Sequence, residues 1–271
     1  MNARIAPMNP AHNAPFFQVP RSHVKTSEGM VELPILYYDT SALNAFFLVE
    51  QARVEAVLKG TGLSPSLTVG GKALVGLSCF EYRDTSVGVY NEVGLAIAVT
   101  PQGEKLALGG WRDLLSTLSQ PEERHVAFHI IDLPVTTAAA NAAGREIWGY
   151  PKFITAIPFK LQGRDFDCQV MLSNNSDEAI MQLSGRMGAS LPMAALSLTL
   201  LSLREQQLIR TTVNVRGASR LALAGSLRLR VPNQSHPMAQ HLHALGLDGA
   251  APLAVSWTHD FQSRLNAGVV I

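Results

Sequence analysis

The chain is short of cysteine and of charge. Of its 271 residues, two are cysteines, Cys79 and Cys168. That is too few for a disulfide scaffold or a four-cysteine zinc site. Charged residues make up 16% of the chain, against roughly 25% for an average soluble protein. Neither sign dominates: 22 Lys and Arg face 21 Asp and Glu, a formal net charge of +1. The basic excess that tracks phosphate backbones is missing, so no nucleic-acid partner is expected. Long apolar runs are missing too. The charge-free stretch 187–203 is interrupted by Ser190, Pro192, Ser197, Thr199 and Ser202, and it is short for a membrane span of ~20 apolar residues. At the N-terminus Pro7, Asn9, Pro10, His12 and Asn13 break any secretory apolar region. The expectation is a cytoplasmic protein without a membrane partner, with residues 1–15 a flexible tail.

What is present is apolar: 47% of residues are hydrophobic, which excludes a disordered chain. No linker, repeat or low-complexity segment divides it, so residues 16–271 read as one domain. The sparse surface charge suggests a surface covered by sister subunits, a homo-oligomer. Residues 32–38 read as a strand. Asp39, Thr40 and Ser41 then offer N-caps to a helix in which Leu43, Phe46, Phe47, Val54, Val57 and Leu58 recur at helical spacing, closed by Gly60. Segments 72–83, 88–100 and 125–133 read as strands, and 109–118 as a short helix. Residues 134–148 form an Ala-rich helix, with Gly149 just past its end and Pro151 following. Beyond Lys152, short strands dominate (155–160, 168–172, 179–183, 196–203, 208–216 and 221–229), with a last helix over 236–245. Many short strands and few helices indicate an α+β fold, mainly antiparallel and closed or nearly closed to protect its edges.

Common chemical motifs are absent. Gly70-Gly71-Lys72 is a turn and not a phosphate loop. Pro65 stands where a dinucleotide fingerprint needs its third glycine, and Ser78 lacks the second glycine of a serine elbow. His125 and His129 share one strand face around Ala127, and His241 and His243 lie on a helix. Both pairs read as ordinary histidines, so no metal is expected.

One segment carries chemistry. Residues 144–153 read GREIWGYPKF, and Lys152 is flanked by Trp148, Tyr150, Pro151 and Phe153. An ammonium packed among such groups loses hydration, which favours the neutral amine. Only the neutral amine attacks a carbonyl. The segment resembles the acetoacetate decarboxylase superfamily, whose helix-to-turn segment has the form G-R-E-x-x-x-[YF]-P-K. The likeness continues through Leu36-Tyr37-Tyr38-Asp39, Asp84-Thr85-Ser86, Val89-Tyr90-Asn91-Glu92, Arg220-Leu221 and the C-terminal segment 261–271.

The resemblance implies an antiparallel sheet curled into a cone-like β-barrel with a few flanking helices, and a pocket inside the cone. It makes Lys152 the Schiff-base nucleophile and Glu92 a pocket carboxylate that shuttles protons or orients substrate. Tyr90, Trp148 and Phe153 are expected to line the pocket, and Tyr82 to share an inward face with Phe80 and Ser78. Tyr38 stands in place of the family's early-strand arginine, Ser78 in place of a second glutamate, and Phe153 in place of a second lysine. In acetoacetate decarboxylase itself the reactive lysine is activated by a neighbouring cation or by desolvation; Phe153 leaves desolvation alone. Arg145 and Glu146 read as helix-pairing residues, and Arg21, Arg83 and Arg145 are the candidates to receive the substrate carboxylate instead. The implied reaction is decarboxylation of a small β-keto acid without metal, nucleotide or flavin. The alternatives are an aldolase-dehydratase on pyruvate-like substrates and a non-catalytic small-molecule binding protein.

Overall fold

The structure is a computed structural model that describes residues 9–103, 126–195 and 197–271. Strands β1 (Ser22–Thr26) and β2 (Gly29–Leu33) form a hairpin of their own. Strand β3 (Ile35–Glu50) leads through helix α1 (Gln51–Val57) to β4 (Leu63–Pro65), β5 (Lys72–Thr85), β6 (Tyr90–Pro101) and β7 (Ala127–Val135). Helix α2 (Ala138–Trp148) then turns into β8 (Lys152–Ile154). It is followed by β9 (Phe159–Gln162), β10 (Asp165–Met171), β11 (Ala179–Arg186), β12 (Ser190–Ala194) and β13 (Leu198–Arg204). Next come β14 (Gln207–Arg216), β15 (Ala218–Ala222), β16 (Arg228–Arg230) and α3 (Pro237–Ala244). The last strands are β17 (Ala254–Thr258), β18 (Gln262–Leu265) and β19 (Val269–Val270).

Seven strands close a ring in the order β3-β5-β6-β7-β13-β14-β18 and back to β3. Every pairing in it is antiparallel except β7 with β13. The long β3 serves two neighbours along one edge: its first residues pair with β18 and its second half with β17, which carries β15 and β12 outward. A separate sheet, β16-β11-β10-β9, packs on the ring. There Leu77 and Cys79 of β5 share a core with Phe166, Cys168 and Ile180. The fold is thus α+β, a mainly antiparallel barrel with a few helices against it. Alternation explains why: odd residues of β5 feed that core, while even ones, Phe80 and Tyr82, face the ring interior with Tyr37, Tyr90, Leu133, Leu200 and Leu265. Among the described residues no helix is long and apolar enough to cross a membrane.

The structure corrects four expectations. Residues 41–50 are strand and not helix. Leu43, Ala45, Phe47 and Val49 are all buried at period two, and β3 pairs with β5 down to Glu50–Lys72. The apolar positions fit both periods, and the sheet partner decides. The expected strand 221–229 is broken by a turn at Gly225 (φ 62°) into β15 and β16. Residues 155–160 are mostly irregular between β8 and β9. Residues Pro10–Asn13 and Pro15–Phe17, partly inside the expected tail, are short 3-10 turns, and Phe17 packs on Leu36 and Tyr38. The helix expected over 109–118 and His125 lie outside the described residues.

Candidate active site

The geometry begins at the end of α2. Thr137 caps its start, accepting a hydrogen bond from the Ala140 N–H. Gly149 ends it in the left-handed region at φ 71°, donating its N–H to the Arg145 carbonyl (3.1 Å). The Tyr150 N–H bonds back to the Gly144 carbonyl (3.0 Å), a glycine-terminated helix end. A side chain at Gly149 would meet the Leu203 carbonyl oxygen at 2.3 Å. Pro151 prevents the helix from resuming, and Lys152 then pairs in parallel with Leu133 of β7. Arg145 Nη1 donates to the Lys152 carbonyl at 2.8 Å. The lysine backbone is therefore held by sheet and helix together.

The Lys152 side chain runs under α2 into the ring interior. A Cβ at Gly144 would lie 2.3 Å from Lys152 Cε and 2.4 Å from Cδ. The groove for the lysine stem exists because residue 144 has no side chain. At its end Nζ donates to Glu92 Oε2 at 2.7 Å, with the two side chains 7% and 10% exposed. Glu92 projects from β6 opposite Phe80. Its other oxygen accepts from the Tyr82 hydroxyl at 3.3 Å. Tyr37 and Tyr90 join hydroxyls at 3.1 Å, and the Tyr82 ring lies 4.6 Å from both of theirs. Lys152 Nζ lies 5.8 Å from the centroid of the Tyr90 ring.

Burial raises the pKa of Tyr37, Tyr82, Tyr90 and Tyr150, and the Glu92 charge adds to the rise in each. All four phenols stay protonated, and Tyr82 donates to Glu92. The arrangement sets an amine beside a carboxylate that can accept its proton, with hydroxyls around both and apolar walls. Burial penalises each charge, and the contact between them offsets that cost.

The structure brings together Lys152, Glu92, Tyr82 and Tyr90 of the expected residues. Ser78 shares the face of Phe80 and Tyr82 but sits four residues down β5, opposite Gly94. Tyr38 and Phe153 are elsewhere. Tyr38 faces outward, stacked on His12 (3.8 Å) and against Phe17 (4.7 Å); its neighbour Tyr37 points inward. Phe153 follows Lys152 on a strand, so it points the opposite way, toward His236 at 4.9 Å. Trp148 packs in one cluster with Tyr37, Tyr82, Tyr90 and Tyr150; its indole N–H donates to the Asn266 carbonyl (3.2 Å) and its ring stacks on Tyr150. Arg145 serves the Lys152 backbone, and Glu146 holds Ser27 in the β1–β2 turn (backbone N–H at 3.0 Å).

Each of the three candidate arginines has another partner, Arg145 being held on the Lys152 backbone carbonyl. Arg21 pairs with Glu32 (3.0 Å) and Arg83 with Asp39 (2.9 Å through Nε). The histidines bond structurally: His129 to the Leu201 carbonyl, His241 to Asp132 and His243 to the Asn233 carbonyl. Among the described residues no group of three His, Cys, Asp or Glu could hold a metal. Sequence reasoning missed Tyr37, whose signal was its adjacency to Tyr38. It also missed the space-making role of Gly144, which no single-residue pattern reveals.

The family model of acetoacetate decarboxylase matches residues 18–242. The chain belongs to the acetoacetate decarboxylase family. No curated protein matches it. Among solved structures it is similar to acetoacetate decarboxylase of Legionella pneumophila subsp. pneumophila str. Philadelphia 1, at TM-score 0.62 and 17% identity over 96% of this chain and 93% of that one. It is also similar to the enduracididine biosynthesis enzyme MppR complexed with pyruvate, at TM-score 0.56 and 12% identity over 90% and 93% of the two chains. An acetoacetate decarboxylase-like enzyme from Sphingomonas wittichii RW1 aligns at TM-score 0.53 and 14% identity, over 89% and 94%. At these identities the likeness establishes the fold.

Proposed function

We propose that the chain is a lysine Schiff-base lyase that decarboxylates a small β-keto acid at Lys152. The observation that carries this reading is the buried Lys152–Glu92 contact of 2.7 Å inside the ring. Glu92 takes a proton from the ammonium, and the freed Nζ lone pair attacks the keto carbon. Loss of water leaves an iminium. The bond from the α-carbon to the carboxylate then breaks, and its electron pair moves into the iminium to give carbon dioxide and an enamine. Glu92 gives its first proton to the departing water, so the proton that adds to the enamine carbon comes from solvent, relayed through Glu92. Water adds to the resulting iminium and releases the ketone and the amine. Tyr82 fixes the carboxylate that makes these transfers.

A second reading rests on the missing cation beside Lys152. With Phe153 turned away and the arginines engaged elsewhere, an enamine could instead attack an aldehyde and lose water. A protein of this fold is described in complex with pyruvate. The test is borohydride trapping with acetoacetate, pyruvate and a longer β-keto acid in separate reactions, read by intact mass, with Lys152→Ala alongside. The expected result is a mass gain that the alanine variant loses, with carbon dioxide released from a β-keto acid. An adduct with pyruvate and no carbon dioxide from any keto acid favours the aldolase-dehydratase. No adduct with any of them overturns both and leaves a binding protein.

A further inference from the structure

Among the described residues, Tyr150 Oη and Thr211 Oγ1 are buried hydroxyls of the ring interior without a hydrogen-bond partner. They come from different elements. Tyr150 is in the turn that delivers Lys152, and Thr211 lies on β14 directly opposite Leu200, whose side chain faces the interior. The two are close enough to influence each other, yet neither completes a bond of ordinary geometry. Thr211 is 0% and Tyr150 3% exposed. A buried polar atom without a partner costs free energy, and folded proteins seldom leave one without a reason. The other interior phenols are committed: Tyr82 donates to Glu92, and Tyr37 and Tyr90 bond each other.

Tyr150 packs in one cluster with Tyr37, Tyr82, Tyr90 and Leu133, so the uncommitted phenol belongs to the same interior as the Lys152–Glu92 pair. Resting on the Schiff-base reading above, we propose that Tyr150 and Thr211 receive the carboxylate of the keto acid. They would do so as two neutral donors, with no cation. The chemistry suits decarboxylation. The carboxylate's charge disperses as carbon dioxide leaves, so a cation there would hold the substrate more tightly than the transition state. Neutral hydroxyls orient the group with less of that ground-state stabilisation.

The test compares Tyr150→Phe and Thr211→Val with the unaltered chain. It measures borohydride trapping against concentration for acetoacetate, which carries the carboxylate, and for acetone, which does not. Each variant should need about 10-fold more acetoacetate for half-maximal trapping, the equivalent of about 1.4 kcal/mol, with acetone unchanged within about 2-fold. Because each removes an unpartnered polar atom, thermal midpoints without ligand should stay level or rise. Unchanged half-saturation by acetoacetate would overturn the proposal. So would an equal loss for acetone, or a fall of several degrees in midpoint, either of which would mark the hydroxyls as structural. Failure of the unaltered chain to trap either compound would defeat the Schiff-base reading itself.

Discussion

At the scale of single residues the candidate site is a buried charge pair, which by itself is weak evidence for stability. Lys152 and Glu92 are both buried. Removing one partner of such a pair strands a charge and costs about 3–5 kcal/mol, whereas replacing both with apolar residues is often neutral or better. Glu92→Ala is therefore expected to lose about that much in urea unfolding. Adding Lys152→Met should restore most of it while trapping stays abolished. A double variant as unstable as Glu92→Ala would show the pair to be structural. Gly144 gives a sharper case. A methyl there would sit 2.3 Å from Lys152 Cε, so Gly144→Ala should displace the amine from Glu92 and cut trapping at least about 10-fold, the effect of about 1.4 kcal/mol of lost positioning. The helix around it should persist, since alanine favours helix. Normal trapping in that variant would contradict the packing.

Legibility at this scale was uneven for a physical reason. Lys152 and Glu92 sit in short motifs whose spacing survives folding. Tyr38 stands in place of the family's arginine and Phe153 directly follows Lys152, and on a strand the next residue faces the other way. Tyr37, one position from Tyr38, is the inward residue.

At the scale of elements, the start of β3 reads as strand, but residues 41–50 read as helix because their apolar residues satisfy both helical and strand spacing. The strand's pairing with β5 is a long-range fact that no local window contains. The α2–β8 turn, by contrast, was legible. Gly149 and Pro151 act locally, and the left-handed glycine and the halted helix follow from them.

Helix α3 is tied to β7 by His241 Nδ1 and Asp132 Oδ2 at 2.9 Å, and that tie titrates. The hydrogen bond to Asp132 raises the His241 pKa above its ordinary 6.5. Stability from that shift is complete below about pH 6.5 and is lost as pH rises through the folded value. Burial raises the Asp132 pKa as well, and a carboxyl shifted upward also contributes less as pH rises. Burial lowers the pKa of His129 and His236; these act oppositely, costing stability as pH falls below 6.5. Comparison with Asp132→Asn separates the tie from them. The thermal-midpoint advantage of the unaltered chain over Asp132→Asn should shrink between pH 6 and pH 9. An advantage that is constant or grows would contradict the linkage.

At the scale of the whole molecule, the closed ring answers the problem posed by many short strands, since closure leaves seven of them without a free edge. That much was legible from strand count and turn spacing. The second sheet and the extension β17-β15-β12 were not, because they depend on which distant segments pair. The extension ends in β12, where Leu191 (74% exposed) pairs with Leu221, and Leu223 (72% exposed) lies just beyond. Together with the low charge content this predicts self-association. Sedimentation at micromolar concentration should give an oligomer, and Leu191→Glu with Leu223→Glu should reduce it. A monomer in the unaltered chain would contradict the expectation.

The central claim is that one amine, Lys152, forms an imine. The most direct measurement is borohydride reduction of the unaltered chain with a β-keto acid, followed by proteolysis and tandem mass spectrometry to locate the adduct. The account predicts that the added mass sits on Lys152 and that exposed lysines such as Lys72 stay unmodified. An adduct spread over surface lysines, or one that leaves Lys152 unmodified, would contradict it.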